Sequence, residues 1–565
     1  MIKYTADDFE IKRLGSFYDP KQTLFRVFAP DYKRLDLILE NKRIPMFRNG
    51  LCFEVYVKGD LELMKYHFLA DDKVSFCDPF SYVCINHESY VVNKSKFEKR
   101  KIFPKTSLST PVIYECSVRD FSSDRSFNGS CKTTFLAFTQ TGLKGEKDLP
   151  IGIDHIIGLG VSHIQLMPVF DFDLDKARYN WGYNPLSYNC VTPAYVFRKE
   201  DPYAYVNELR TLVNFCHEHD LRVNLDVVFN HVYREKEFDL GKMLAGRLYR
   251  YRKDGTLAQG TFCGNEVASE DTFVRAYIVE MVERYLELFD IDGIRMDLMG
   301  ITDLRTVKLI YDTLRVKKKD FMVYGEGWNM GDVLDEGHRA CIINAAKIPG
   351  TAMFNDYFRD IMIHYISGNN SIDEDVKRCL RADPSYLSAE QSINYVECHD
   401  DYTFYDRMSI YKSEDSKEVN ICRCKMALAL VLLARGIPFI HSGEEFLRTK
   451  KGTRNSYNSG DMINRMDWHR RQVHDDVVRY VMKLIAIRKA YPCFTEERPR
   501  INFAEHEGTL IYRIGPLTVF INPGDEEILY DDGQDHKVIF DENGAADTGS
   551  SLICVSPYSV VICED

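Results

Sequence analysis

The run Leu221-Arg222-Val223-Asn224-Leu225-Asp226-Val227-Val228-Phe229-Asn230-His231 is an apolar strand that ends in polar side chains. Seven further runs of the same kind occur: Val112 to Arg119, Ser162 to Phe170, Gly293 to Leu298, Phe321 to Glu326, Ala352 to Asn355, Ile393 to Glu397 and Pro438 to Ser442. Helical patterns lie between them. In the clearest, Phe273, Tyr277, Met281, Tyr285 and Phe289 recur every fourth residue along one face. Eight strands alternating with helices predict an α/β fold, a (β/α)8 TIM barrel with insertions.

Outside this region the character changes. Leu24 to Pro30, Leu35 to Glu40, Phe53 to Lys58 and Lys65 to Ala70 are short strands separated by turn residues, which predicts a β-sandwich over residues 1–105. The barrel is placed at 106–494, its last helix at Val477 to Ala490, and a C-terminal β-sandwich domain at 495–565, beginning with Thr509 to Arg513 and Thr518 to Asn522.

Composition bounds the function. The 565 residues carry a net charge of −12, which argues against a face for nucleic acid and leaves a neutral or polar substrate. No run of 18 uncharged apolar residues is present, and the first residues lack a basic start followed by an apolar core, so no membrane association or export is expected. The 16 cysteines are scattered with no CxxC pair, and read as reduced thiols of a cytoplasmic protein. No metal or cofactor is expected, and the oligomeric state is not legible.

In a TIM barrel the active site forms at the C-terminal strand ends. Four strands place polar groups there: Asp226 to His231, Arg295 to Asp297, Glu326 to Trp328, and Glu397 to Asp400. Any one of these acids is ordinary turn chemistry; their convergence on one end is not. Paired carboxylates suit glycoside hydrolysis with retention, one attacking the anomeric carbon and one delivering a proton, about 5–5.5 Å apart. Asp297 is the expected nucleophile, kept ionised by Arg295 two residues earlier on the same strand face. Glu326, beside Trp328, is the expected acid, desolvated enough to hold its proton. Asp400 would stabilise the oxocarbenium-like transition state, with His231, His399 and Arg295 around the same sugar.

These motifs resemble the four signature regions of the α-amylase family of glycoside hydrolases. Tyr179-Asn180-Trp181-Gly182-Tyr183-Asn184-Pro185 is similar to the YNWGY(D/N)P signature of type I pullulanases, and Tyr114 to Ser122, Phe354 to Asp360, Ser442 to Lys450 and Asn455 to Trp468 agree with it. The resemblance implies hydrolysis of α-1,6 branch linkages in pullulan, glycogen or amylopectin-derived dextrins. It carries Tyr183 over as the aromatic platform at the cleaved bond, Asn180 and Trp181 as loop-shaping residues, and Trp328 and Asn464 as substrate-binding ones. It also likens the N-terminal module to a starch-binding one, with sugar binding and packing against the barrel both open. Cys398 stands where Ser is usual. An α-1,4-acting neopullulanase, an isoamylase-like enzyme, and a non-catalytic carbohydrate-binding relative are the alternatives. The last typically lacks one of the acids, and all three are present here.

Overall fold

A computed structural model of the protein describes residues 4–101, 111–174, 178–368, 373–383, 386–496, 498–544 and 550–564. Eight parallel strands close into a barrel: β1 (Ile113–Cys116), β2 (His163–Leu166), β3 (Arg222–Val227), β4 (Gly293–Met296), β5 (Met322–Gly325), β6 (Thr351–Phe354), β7 (Ser392–Asn394) and β8 (Ile437–His441). Closure is direct, since β1 pairs with both β2 and β8. The strands are shorter than the sequence runs suggest. Ser162 to Phe170 reduces to four residues because Pro168 has no N–H for a ladder. The residues beyond each strand end belong instead to the loops that form the site.

The barrel interior divides into two halves. Ile113, Tyr324, Ala352, Phe354, Ile393, Tyr395, Ile437 and Phe439 make an apolar cluster from β1 and β5 to β8, with Trp328 and Cys398 packed against it. The β2 to β4 side is polar and cross-bonded. Tyr324 donates its hydroxyl to Gln165 (2.7 Å), Gln165 donates to Glu115 (3.0 Å), and Asn224 donates to Tyr324 (3.2 Å). This hydrogen-bonded layer, buried throughout, is the floor on which the site stands. Outside, the helix Thr272–Phe289 packs Phe273, Tyr277, Met281, Tyr285 and Phe289 inward, as the fourfold spacing predicts.

Two antiparallel sheets over residues 15–90 face each other, with Phe25 of one 4.9 Å from Tyr66 of the other. This module packs on the barrel, where Phe28 stacks on Phe273 at 4.4 Å. The 105/106 boundary falls in 102–110, outside the described residues. After the helix Asp475–Ala490, residues 501–564 form a six-stranded sheet. Its long strand Ile528–Phe540 has register shifts that let Ile553 and Val555 pack over Ile511 and Phe520.

Candidate active site

The loop after β2 is anchored before it reaches the cleft. Tyr179 is buried and donates its hydroxyl to Asp120 (2.8 Å), while Arg119 covers its ring and pairs with Asp461 (2.6 Å). Asn180 Oδ1 accepts the Gly182 N–H at 2.8 Å, closing a tight turn. Gly182 takes φ +106°, and a Cβ there would stand 2.8 Å from Pro168, so the turn requires glycine. Trp181 is thereby set edge-on to His399 at 5.0 Å, and Tyr183 lies nearly parallel to the same imidazole at 4.9 Å and 17°.

Below this aromatic group Arg295 holds three acids. Its Nη1 bonds Asp226 Oδ1 and Asp297 Oδ1, both at 3.0 Å, and its Nη2 bonds Glu326 Oε1 at 2.6 Å. Strand register makes this possible, because Asp226 of β3 and Arg295 of β4 are direct partners in the ladder. Asn230 Nδ2 donates to Asp297 Oδ2 and to the Asp297 carbonyl, each at 2.8 Å. Glu326 Oε2 accepts the Leu298 N–H at 3.0 Å. The chain under Glu326 is packed tightly: Gly300 donates its N–H to the Glu326 carbonyl at 2.8 Å, and a Cβ on Gly300 would lie 2.0 Å from the Trp328 carbonyl.

The electrostatics separate the acids. Burial raises Glu326, Arg295 opposes that rise, and Asp297 and Asp400 add to it, leaving its carboxyl at about 7. Asp226 is pushed by burial up to about 6 against the pull of Arg295. Asp400 is different in kind: its side chain is 59% exposed at the mouth, 3.6 Å from His399 Nε2.

The structure therefore brings Asp297, Glu326, Asp400, Tyr183, Trp181 and His399 around one opening, and alters the reading of three others. Arg295, expected to bind substrate, is 2% exposed and spent on carboxylates. His231 is buried with both ring nitrogens already engaged, by Asn230 Oδ1 at 2.6 Å and the Tyr183 carbonyl at 3.0 Å. Asn464, also expected to bind substrate, is buried, its amide holding Ser456 (2.7 and 2.8 Å) inside its own loop. Asn180 stays internal to its turn, and Trp328 is half-buried on the apolar side of the barrel. Sequence reading passed over Asp226, Asn230, Glu115 and Lys450. Each lies within a motif already quoted, and the alternation of side chains along a strand turns Asp226 to the same face as Asn224.

No family model matches the chain. The pullulanase of Bacillus subtilis strain 168 is 35% identical to it over 519 residues, covering 85% of this chain and 72% of that protein. The chain belongs to the pullulanase family. A crystal structure of type I pullulanase from the same bacterium, complexed with maltose, superposes with a TM-score of 0.93 at 30% identity, over 99% of this chain and 86% of that one. The pullulanase of Anoxybacillus sp. LM18-11, complexed with maltotetraose, gives 0.93 at 32% identity, over 98% and 87% of the two chains. This pullulanase spans about half the length of the chloroplastic pullulanase 1 of Arabidopsis thaliana. It is a debranching glycoside hydrolase of the α-amylase family, with a (β/α)8 barrel flanked by β-domains.

Proposed function

We propose that this pullulanase cleaves α-1,6 branch linkages of α-glucans with retention of configuration, Asp297 attacking the anomeric carbon, Glu326 protonating the leaving oxygen and Asp400 gripping hydroxyls of the distorted ring. The observation that carries the reading is the Arg295 fork. A single guanidinium bonds both Asp297 and Glu326, which favours the short carboxylate spacing of retaining enzymes, about 5–5.5 Å, over the wider one that leaves room for a water.

The two acids then divide the work by their surroundings. Glu326, raised to about 7, keeps a proton to give at neutral pH and becomes the base for the second half-reaction once it has given it. Asp297 is fixed from two sides, by Arg295 and Asn230, so its attack geometry is set before substrate arrives. Tyr183 offers an aromatic face to the C–H groups of the sugar.

Pullulan, glycogen-derived and amylopectin-derived dextrins are the polymers this reading names, in keeping with the malto-oligosaccharides bound to its relatives. The product profile from pullulan is the test. Cleavage of α-1,6 bonds gives maltotriose, whereas α-1,4 cleavage gives panose or isopanose and overturns the proposal.

A further inference from the structure

His399 has a carboxylate at each end of its ring. Its Nδ1 lies 2.8 Å from Glu115 Oε1, and its Nε2 lies 3.6 Å from Asp400 Oδ2. Glu115 rises from inside the barrel on β1 and is 1% exposed. Its Oε2 accepts the backbone N–H of His399 at 2.8 Å, and Gln165 donates to its Oε1 at 3.0 Å. A neutral imidazole has one N–H and serves one of two carboxylates; only the doubly protonated ring serves both. The Tyr183 ring, stacked on the imidazole, also favours a cation.

We infer that Glu115 is a positioning residue that keeps His399 an imidazolium, with its Nε2–H presented to a hydroxyl of the sugar in the cleavage subsite. The inference rests on the glucosidase reading above. Its physical sense lies in the charge that develops during reaction. A charged donor makes a hydrogen bond roughly twice as strong as a neutral one. A bare cation beside an oxocarbenium-like sugar would repel it. Pairing the imidazolium with a buried carboxylate supplies the strong donor with no net charge added to the site.

The groups facing His399 from each neighbouring element agree on the sign. Glu115 from β1, Asp226 from β3 and Asp400 from the loop after β7 favour the cation. Arg295 from β4 opposes it, His441 from β8 is held neutral by burial and by Arg448, Lys450 and His399, and Lys450, from the loop after β8, bonds the His399 carbonyl at 2.8 Å. The Tyr183 hydroxyl lies 3.5 Å from Nδ1. Burial alone lowers His399, but Glu115 and Asp400 outweigh it and push the ring up to about 9. Burial alone raises Glu115, and His399 reverses that, holding Glu115 below its ordinary range. The carboxylate lies low and the imidazole high, so the pair is ionised throughout the neutral range.

The decisive measurement is an NMR titration of the full-length protein carrying ring-¹³C histidine, with the His399 resonance assigned by its loss in His399→Gln. We expect the wild-type ring to stay protonated through neutrality and titrate at about 9. In Glu115→Gln, which keeps the side-chain size, the transition moves down past neutrality. The ratio of kcat/KM between Glu115→Gln and wild type on pullulan then falls as pH rises, and Glu115→Asp, which restores the charge, flattens that ratio. A wild-type His399 titrating at its ordinary value of about 6.5 overturns the inference, and that result needs no variant of Glu115 to fold. An unmoved titration in folded Glu115→Gln overturns it as well. If His399 titrates high but pullulan is not cut at α-1,6 bonds, the ion pair stands and the glucosidase reading falls.

Discussion

The Tyr183 hydroxyl donates to Asp226 Oδ2 at 2.7 Å, so the residue that faces the cleft with its ring is tied to the barrel interior by its oxygen. The ring and the hydroxyl therefore have separable tasks. Tyr183→Phe keeps the stack on His399 and removes one donor from a buried carboxylate, at a cost of about 1–3 kcal/mol. We expect a lower Tm with most of kcat/KM retained, whereas Tyr183→Ala loses kcat/KM through lost sugar positioning. Equal losses of kcat/KM in the two variants would show that the platform assignment is wrong.

As the proposed acid, Glu326 should set the alkaline limb of the pH profile. The acid acts only when protonated, and its carboxyl stands at about 7, so on its alkaline side kcat/KM on pullulan is lost as pH rises through that value. Glu326→Gln should remove the limb and lower kcat by roughly 10²–10⁴-fold, with partial recovery on a substrate bearing an activated leaving group. A wild-type profile that stays flat well above neutrality speaks against Glu326 as the acid.

Asp297→Asn should cost on the order of 10⁴-fold in kcat or more, the scale for removing a nucleophile from a site that acts as a unit. The fold should survive, because the amide keeps an oxygen for Arg295. Thermal melting and maltotriose binding by tryptophan fluorescence provide the controls. A variant with more than a trace of turnover assigns the nucleophile elsewhere.

Gly300→Ala tests the support under Glu326 without altering a polar side chain. The added carbon meets the Trp328 carbonyl at 2.0 Å, and backbone must move to relieve it. Overpacking of this kind costs about 1–3 kcal/mol. Because the same residue bonds the Glu326 carbonyl, we expect kcat to fall along with Tm. A loss of Tm alone, with kcat per folded molecule unchanged, shows that the strand end tolerates the shift.

Much of the barrel is written locally: apolar runs ending in acids mark the strands, and the fourfold spacing of Phe273 to Phe289 marks a helix facing the core. The strand ends likewise mark Asp297, Glu326 and Asp400, which the structure brings to one end of the barrel, as the proposed acids. What sequence does not carry is register and reach. That Arg295 faces Asp226 depends on which residues of β3 and β4 pair, and no local pattern states this. Glu115 reads as one polar residue in an apolar strand until closure sets it against His399, 284 positions away. Asn464 shows the converse, a polar residue in a matching motif whose amide is bonded to Ser456 within its own loop.

The closing pair of strands has a consequence for the enzyme's life before it is complete. Glu115, from the first strand, and His399, after the seventh, face each other across the seam closed by β8, which pairs with both β1 and β7. Contacts of such separation make folding slow. A chain that ends before Ile437 still carries the β3 to β5 segment whose Arg295 binds Asp226, Asp297 and Glu326, but it lacks the strand that bridges β1 and β7 and with it the ladder that sets His399 against Glu115.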